Sequence, residues 1–495
     1  MGEASPLASG ITRIVVRGIG LAASGFVLSN AVAVASYLAL ARLVTPREFG
    51  ILAAGSVLVY FSAVFVESGL AAALVRRHNT VDEAANTVFV ATAAAGLLFT
   101  LVALAAAPLI GHFFGSGRIT AVAAVMSGIL FVRSLGIVPD TLLRMRFSFL
   151  RRVVVGPAGA VGFGVAAIAS TANGWGVWGL VLGSYVSIVV EVILCWAFVR
   201  WRPQPRLASI GTWRNLAGFG RHVLAADVVM AVSDKVDTVV IGRFLSTAAL
   251  GQYRYAWRVA TLPLAGIVNV GAYVLYPAFA RIADEEERFR EAFLRALRWL
   301  SIAGLPASLI LLPLGEPLVV LAFGERWRPA GDALAAMCGF AAGHTYDSLA
   351  SEAWKAAGRP DLLPRMHGLS ALSLVALMLA FLPLGLTGMG LALSLSSLVV
   401  AVYALRGAGR VLGIAGRRLL DEVWPPTVAA CLMSGALFAF ERTVTHSDTH
   451  GTALGLALLA AEAVVGIILF LGLVVALRPE RRGELRELVA LALPR

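Results

Sequence analysis

The sequence predicts an all-α polytopic membrane protein of about 14 transmembrane helices, in two six-helix lobes related by an internal repeat plus two C-terminal helices. Three observations predict it. The 495 residues are 59% hydrophobic and only 14% charged, with a mean hydropathy of +0.83. A soluble domain needs more polar surface, with about a quarter of its residues charged. The apolar residues gather in stretches of about 20, the length that carries a helix across the hydrocarbon core. Arginine is concentrated in alternate connections between those stretches.

In chain order the first six spans read as 18–41, 49–71, 85–107, 119–138, 153–172 and 176–198. Six more follow at 222–242, 249–277, 296–315, 330–354, 366–383 and 385–405, and the last two at 422–440 and 453–477. Of the 41 Lys and Arg residues, 30 fall in one alternate set of connections and in the flanking termini, for example Arg13, Arg17, Arg76, Arg77, Arg144, Arg146, Arg281 and Arg298. The opposite set holds 7, among them Arg42, Arg243, Arg326 and Arg328. The positive-inside rule then places both termini in the cytoplasm. Span length argues for helices, since a barrel strand needs only about 9–11 residues. Gly156, Gly159, Gly162 and Gly164 recur at helical spacing and allow close helix contact.

Three anchors repeat in the same order. Arg42-Leu-Val-Thr-Pro-Arg-Glu-Phe-Gly50 returns in outline as Arg243-Phe-Leu-Ser-Thr-Ala-Ala-Leu-Gly251. Pro108–Gly115 is echoed by Pro317–Gly324, and Gly179-Leu-Val-Leu182 by Gly390-Leu-Ala-Leu393. A six-span unit crosses the membrane an even number of times, so the second copy enters with the orientation of the first. The expected division is a first lobe at 1–200, a basic cytoplasmic linker at 201–214, a second lobe at 215–410, and two added helices with a basic tail at 411–495. Such paired lobes enclose a midplane cavity suited to alternating access.

The composition excludes several function classes. The net charge of +12 is spread over loops rather than gathered in one stripe, which argues for topogenic charge and anionic lipid rather than nucleic acid. Cys195, Cys338 and Cys431 lie in apolar spans without ligand spacing, so they read as small buried hydrophobes, with no disulfide framework and no metal site. Residues 1–12 do not resemble a cleavable signal peptide. No GxxxxGK[ST], GxSxG or HExxH pattern occurs, so neither ATP hydrolysis nor another enzymatic activity is expected, and no cofactor.

Ionisable residues inside spans are costly and mark functional positions. The first lobe offers Glu67, Arg133, Asp140 and Glu191. The seventh span holds Asp227, Asp234, Lys235 and Asp237; the eighth holds Arg254 and Arg258, four apart on one helical face, interleaved with Tyr253, Tyr255 and Trp257. The tenth carries His344, Asp347, Glu352 and Lys355. Arg133, Lys235, Arg254, Arg258 and Tyr253 are the candidate substrate-binding set, because the planar guanidinium fork suits phosphate and an aromatic ring suits a sugar face. Glu67, Asp227, Asp234, Asp237, Asp347 and Glu352 are candidates for ion coupling or charge balance. Any single acid–base pair among them reads equally well as a structural bridge.

The stretches Leu40–Gly50, Glu67-Ser-Gly-Leu-Ala-Ala-Ala-Leu-Val-Arg-Arg77, Asp234–Arg243, Leu250-Gly-Gln-Tyr253 and Tyr276-Pro-Ala-Phe-Ala-Arg281 carry a resemblance over essentially the whole chain. The sequence resembles the Wzx-type and teichuronic-acid-exporter branch of the multidrug/oligosaccharidyl-lipid/polysaccharide exporter superfamily. One position departs from the pattern: the first signature usually has aspartate where Glu67 stands. The resemblance implies a flippase of a bacterial cytoplasmic membrane that carries an undecaprenyl-diphosphate-linked oligosaccharide to the outer leaflet. It implies proton or sodium coupling, or the membrane potential, as driving force. Its implied partners are the lipid-linked oligosaccharide, membrane lipids and other polysaccharide-synthesis membrane proteins. The alternative within the same superfamily is a multidrug or small-molecule antiporter.

Overall fold

The computed structural model describes residue 25 and residues 28–67, 69–75, 81–145 and 149–478. Most of 18–27 in the first expected span, together with Arg13, Arg17, Arg76, Arg77, Arg146 and the basic tail beyond Arg478, lies outside the described residues. Every regular element among the described residues is helical. That is what an apolar chain in lipid requires, because a helix satisfies its backbone N–H and C=O groups within itself.

The chain forms two compact units, Met1–Gly251 and Gln252–Arg495. The first contains α1 (Leu28–Leu43), α2 (Pro46–Glu67), α3 (Leu70–Val75), α4 (Val81–Phe113), α5 (Gly117–Met145), α6 (Phe149–Ala172), α7 (Val177–Phe198) and α8 (Ile210–Phe244). Its core joins Leu74, Val88, Val138, Leu142, Cys195 and Leu216, which come from α3, α4, α5, α7 and α8. Helix α8 packs on α2, α3 and α4. The first unit thus runs past the basic linker and includes all of α8.

The second unit takes most of α9 (Thr247–Arg281), then α10 (Glu286–Leu309), α11 (Leu311–Phe323), α12 (Arg328–Ala336), α13 (Phe340–Ala356), α14 (Leu363–Ala380), α15 (Gly385–Leu412), α16 (Gly416–Phe440) and α17 (Thr452–Leu477). Its largest core cluster includes Phe279, Phe293, Leu297, Trp354 and Ala404. The two last helices bury Met433, Leu437 and Phe470 against Leu305 of α10 and Ala342 of α13. They stand outside the repeat in sequence, yet they share this unit's core.

Nine helical stretches of the described residues are long and apolar enough to span a membrane; α10 with α11, bent by 50°, makes a tenth. The other four expected spans fall short for identifiable reasons. Helix α1 is described only from Leu28. Helices α8 and α9, at 35 residues each, have ample length, but side chains along both, at 222–223, 225–226 and 263–274, lie outside the described residues. The expected span 330–354 is divided between α12 and α13.

The repeated nonapeptide proves to be a helix start. Thr45 and Glu48 form a capping box: the Thr45 N–H and hydroxyl both donate to Glu48 Oε2 at 2.9 Å, and the Glu48 N–H donates back to Thr45 Oγ1 at 3.4 Å. Pro46 opens α2, where its missing N–H costs nothing. In the second copy the Ala249 N–H donates to Ser246 Oγ at 3.0 Å. The two glycines cross reciprocally: a Cβ on Gly50 would strike the carbonyl oxygen of Thr247, and one on Gly251 that of Pro46. Pro46 and Thr247 occupy matching places in the two copies, so the motif builds its own packing partner.

All three cysteines are free. Cys195 is buried as expected, but Cys338 is only half-buried and Cys431 is exposed on the outward face of α16.

Candidate functional site

In the first unit, four helices bring ionisable groups together. Helix α2 presents Tyr60 and Glu67, seven residues apart and hence on one face about 10 Å apart along the axis. Tyr60 donates its phenolic proton to Asp234 Oδ2 at 2.9 Å. Lys235 Nζ lies 4.2 Å from the centre of the same ring, a cation–π contact. One aromatic side chain therefore holds both members of the Asp234-Lys235 pair, the hydroxyl taking the acid and the ring face the base. Two turns along α2, Glu67 receives Arg133 of α5, with Nη2 donating to Oε2 at 3.1 Å and Nε against Oε1.

The Arg133 side chain stays 52% exposed and that of Glu67 32%. The pair is therefore open on one side. The structure thus gives Arg133, a candidate phosphate ligand, a carboxylate partner. Asp140 pairs with Arg144 one turn further along α5, its Oδ2 accepting from Arg144 Nε at 2.9 Å. Glu191 of α7 lies in the electrostatic field of Arg133, Asp140 and Glu67. Asp237 turns inward instead; it is 6% exposed and accepts the hydroxyl of Thr238 at 3.0 Å. Asp227 is half-buried on α8, seven residues before Asp234.

The second unit places its candidates differently. Arg254 lies over Trp257, 4.8 Å from the ring centre, and both Arg254 and Arg258 are half-buried. Tyr253 is fully buried, so in this structure it is a packing residue and offers no ring face to a sugar. On α13, Asp347 pairs with His344 at 3.1 Å and Glu352 accepts from Lys355 at 2.9 Å, each within its own helix. Among the described residues no group of three His, Cys, Asp or Glu side chains could hold a metal ion.

Two groups escaped the sequence reading. Tyr60 had a signal, its spacing of seven from Glu67. The pair Arg298–Glu422 had almost none: Arg298 was counted as a loop cation, yet it sits in α10 and grips Glu422 of α16 through both oxygens, at 2.8 and 3.1 Å. Its side chains are 18% and 8% exposed.

Residues 39–332 match the family described as polysaccharide biosynthesis protein. The succinoglycan biosynthesis transport protein ExoT of Rhizobium meliloti is 26% identical over 291 residues, 59% of each chain. The teichuronic acid biosynthesis protein TuaB of Bacillus subtilis is 23% identical over 277 residues, 54% of this chain and 56% of TuaB. The lipopolysaccharide biosynthesis protein WzxC of Escherichia coli is 24% identical over 302 residues, 60% of this chain and 61% of WzxC. The chain thus matches less than two thirds of the length of each of these relatives. Among solved structures, the lipid II flippase MurJ in an inward closed conformation superposes with a TM-score of 0.75 at 16% identity, covering 93% of this chain and 99% of MurJ. An inward-facing multidrug resistance MATE transporter gives 0.61 at 18% identity, over 79% of this chain and 95% of the transporter. At such identities the structures speak for the fold alone. With a family match across more than half its length, the chain belongs to the polysaccharide biosynthesis protein family, as a multi-pass membrane protein with a MurJ- and MATE-like fold.

Proposed function

We propose that the protein is a flippase that moves an undecaprenyl-diphosphate-linked oligosaccharide from the inner to the outer leaflet of a bacterial cytoplasmic membrane. It works by alternating access between two lobes, with both termini in the cytoplasm, driven by a proton or sodium gradient or by the membrane potential. The observation that carries this reading is the half-open pairing of Arg133 with Glu67, two turns along α2 from Lys235 on Tyr60. A guanidinium held by one carboxylate and still half exposed is oriented and keeps donors free for a phosphate. Lys235, on the face of the Tyr60 ring, adds a second cation to the same helix face. Arg254 and Arg258 supply the second set of cations, while Asp227, Asp234, Asp237, Asp347 and Glu352 balance charge or take the coupling ion. The names of ExoT, TuaB and WzxC support polysaccharide synthesis as the setting.

The test is translocation of a lipid-diphosphate oligosaccharide in proteoliposomes, comparing Arg133→Ala, Lys235→Ala, Arg254→Ala and Arg258→Ala with the parent. At least Arg133→Ala and Lys235→Ala should lose roughly ten-fold or more, the equivalent of about 1.4 kcal/mol in the transition state. Parental rates in all four variants would remove the site. Transport of a cationic dye in place of the diphosphate lipid would replace the flippase with an antiporter.

A further inference from the structure

The connection between the last two helices has an unusual build. Helix α16 ends in a π-helical turn, Glu441–Thr445, and the chain then reverses through His446 at φ 42°, the one non-glycine residue with positive φ among the described residues. Such departures from regular helix are costly and cluster at functional sites. Inside the turn the Glu441 carboxylate is 7% exposed and accepts three hydrogen bonds. They come from the Ser447 N–H at 2.8 Å, the Ser447 hydroxyl at 2.9 Å and the Thr445 hydroxyl at 2.8 Å.

A second carboxyl faces it. Helices α16 and α17 run antiparallel, with Gly466 against Leu437 and Gly455 against the Ser447 backbone, a register that sets Glu462 across from Glu441. Glu462 is 4% exposed, and neither of its oxygens has a hydrogen-bond donor. Glu441 and Thr445 are the polar groups turned toward it. Two buried carboxylates side by side cannot both stay ionised, because each like charge raises the cost of the other where water cannot screen them. Glu441 has three donors to stabilise its charge, and Glu462 has none. The missing donor is a proton on Glu462 itself, shared toward Glu441.

We propose that Glu441 and Glu462 form a proton-binding site, a carboxyl–carboxylate pair that holds one proton between α16 and α17. Water reaches it from a cavity of about 590 Å³ whose lining includes Glu441, Glu316, Asp332, Arg442, His446 and Asp448. The two arginines near the pair are engaged elsewhere. Arg328 is paired with Glu316 and Asp448, and Arg442 lies over Phe438 at 4.5 Å. His446 and His450 on the turn complete the titratable neighbours. Release of the proton leaves two negative charges in one buried place, and their repulsion pushes the turn away from α17. The proton therefore acts as a latch between the last two helices.

Infrared difference spectroscopy of the full-length protein in lipid nanodiscs tests this without substrate, so this site and the flippase reading can fail separately. A protonated-carboxyl carbonyl band is expected at neutral pH, shifted in heavy water and lost in Glu462→Gln, whose amide keeps a donor toward Glu441. In Glu441→Gln the band should move, since its hydrogen-bond acceptor changes from carboxylate to amide; this variant carries the test if Glu462→Gln does not fold. A parent protein with no such band, or a band unchanged in the variants recovered, would overturn the site.

Discussion

Two ionic clusters, one in each unit, are built in opposite ways. In the first, Glu67–Arg133 and Tyr60–Asp234–Lys235 join different helices through contacts that leave Arg133 half exposed. In the second, Arg298 and Glu422 join α10 to α16 through two hydrogen bonds, with both side chains largely covered. Both pairs are Arg–Glu, yet they differ in how far they are covered. A covered, doubly bonded pair fixes helices, because separating it strands a charge out of water. A half-open pair fixes little and can trade its partner for a ligand.

The sharpest way to break the contrast is to remove one side of the covered pair. Arg298→Ala should destabilise the second unit by about 3–5 kcal/mol, because Glu422 is left buried and uncompensated. Thermal unfolding in detergent would show this as a large fall in Tm, and the double variant Arg298→Met with Glu422→Leu should recover most of it. Next in size is Gly50→Ala, where the added Cβ meets the backbone of Thr247 and the helix starts must separate, costing about 1–3 kcal/mol. The same assay reads it, and an unchanged Tm would mean that the reciprocal crossing is looser than described.

Tyr60→Phe deletes the bond to Asp234 but keeps the ring under Lys235, so it should cost about 1 kcal/mol or less in stability. Its larger effect should be on translocation, which separates the acid's role from that of the base. The smallest effect is expected at the Arg328 cluster. Hydrogen bonds from Arg328 hold the Glu325 carboxyl below its usual range, and Glu325, with Asp448 and Glu316, holds the guanidinium protonated. A depressed carboxyl stabilises the folded state above its ordinary range and loses that contribution as the pH falls through its folded value. Glu325 is exposed, so Glu325→Gln should lower Tm only slightly at neutral pH, and the difference from the parent should vanish in acid.

Sequence alone made the helical membrane architecture readable, because long apolar stretches and alternating arginines are properties of single segments. It also found the repeated nonapeptide. What that motif does was not readable, since the capping box is local but the crossing of Gly50 with Thr247 joins residues about two hundred apart in the chain. The candidate charges were visible one by one, whereas their partners were not. Arg133 had no visible partner until α5 was set against Glu67 of α2, and Arg298 looked like loop charge until α10 met α16. Helix α8 follows the basic linker in the chain, yet it packs on α2, α3 and α4. Hydropathy carries no record of which helix a charged face will meet.

The central claim is that the open pair serves transport and the covered pair serves stability. One paired measurement tests it: initial translocation rate and Tm, determined on the same preparations of Arg133→Ala and Arg298→Ala. The account predicts that Arg133→Ala keeps a near-parental Tm, within the effect of about 1 kcal/mol expected of an exposed pair, while its translocation falls at least about ten-fold. A parental rate for Arg133→Ala, or a loss of stability as large as that of Arg298→Ala, would contradict it.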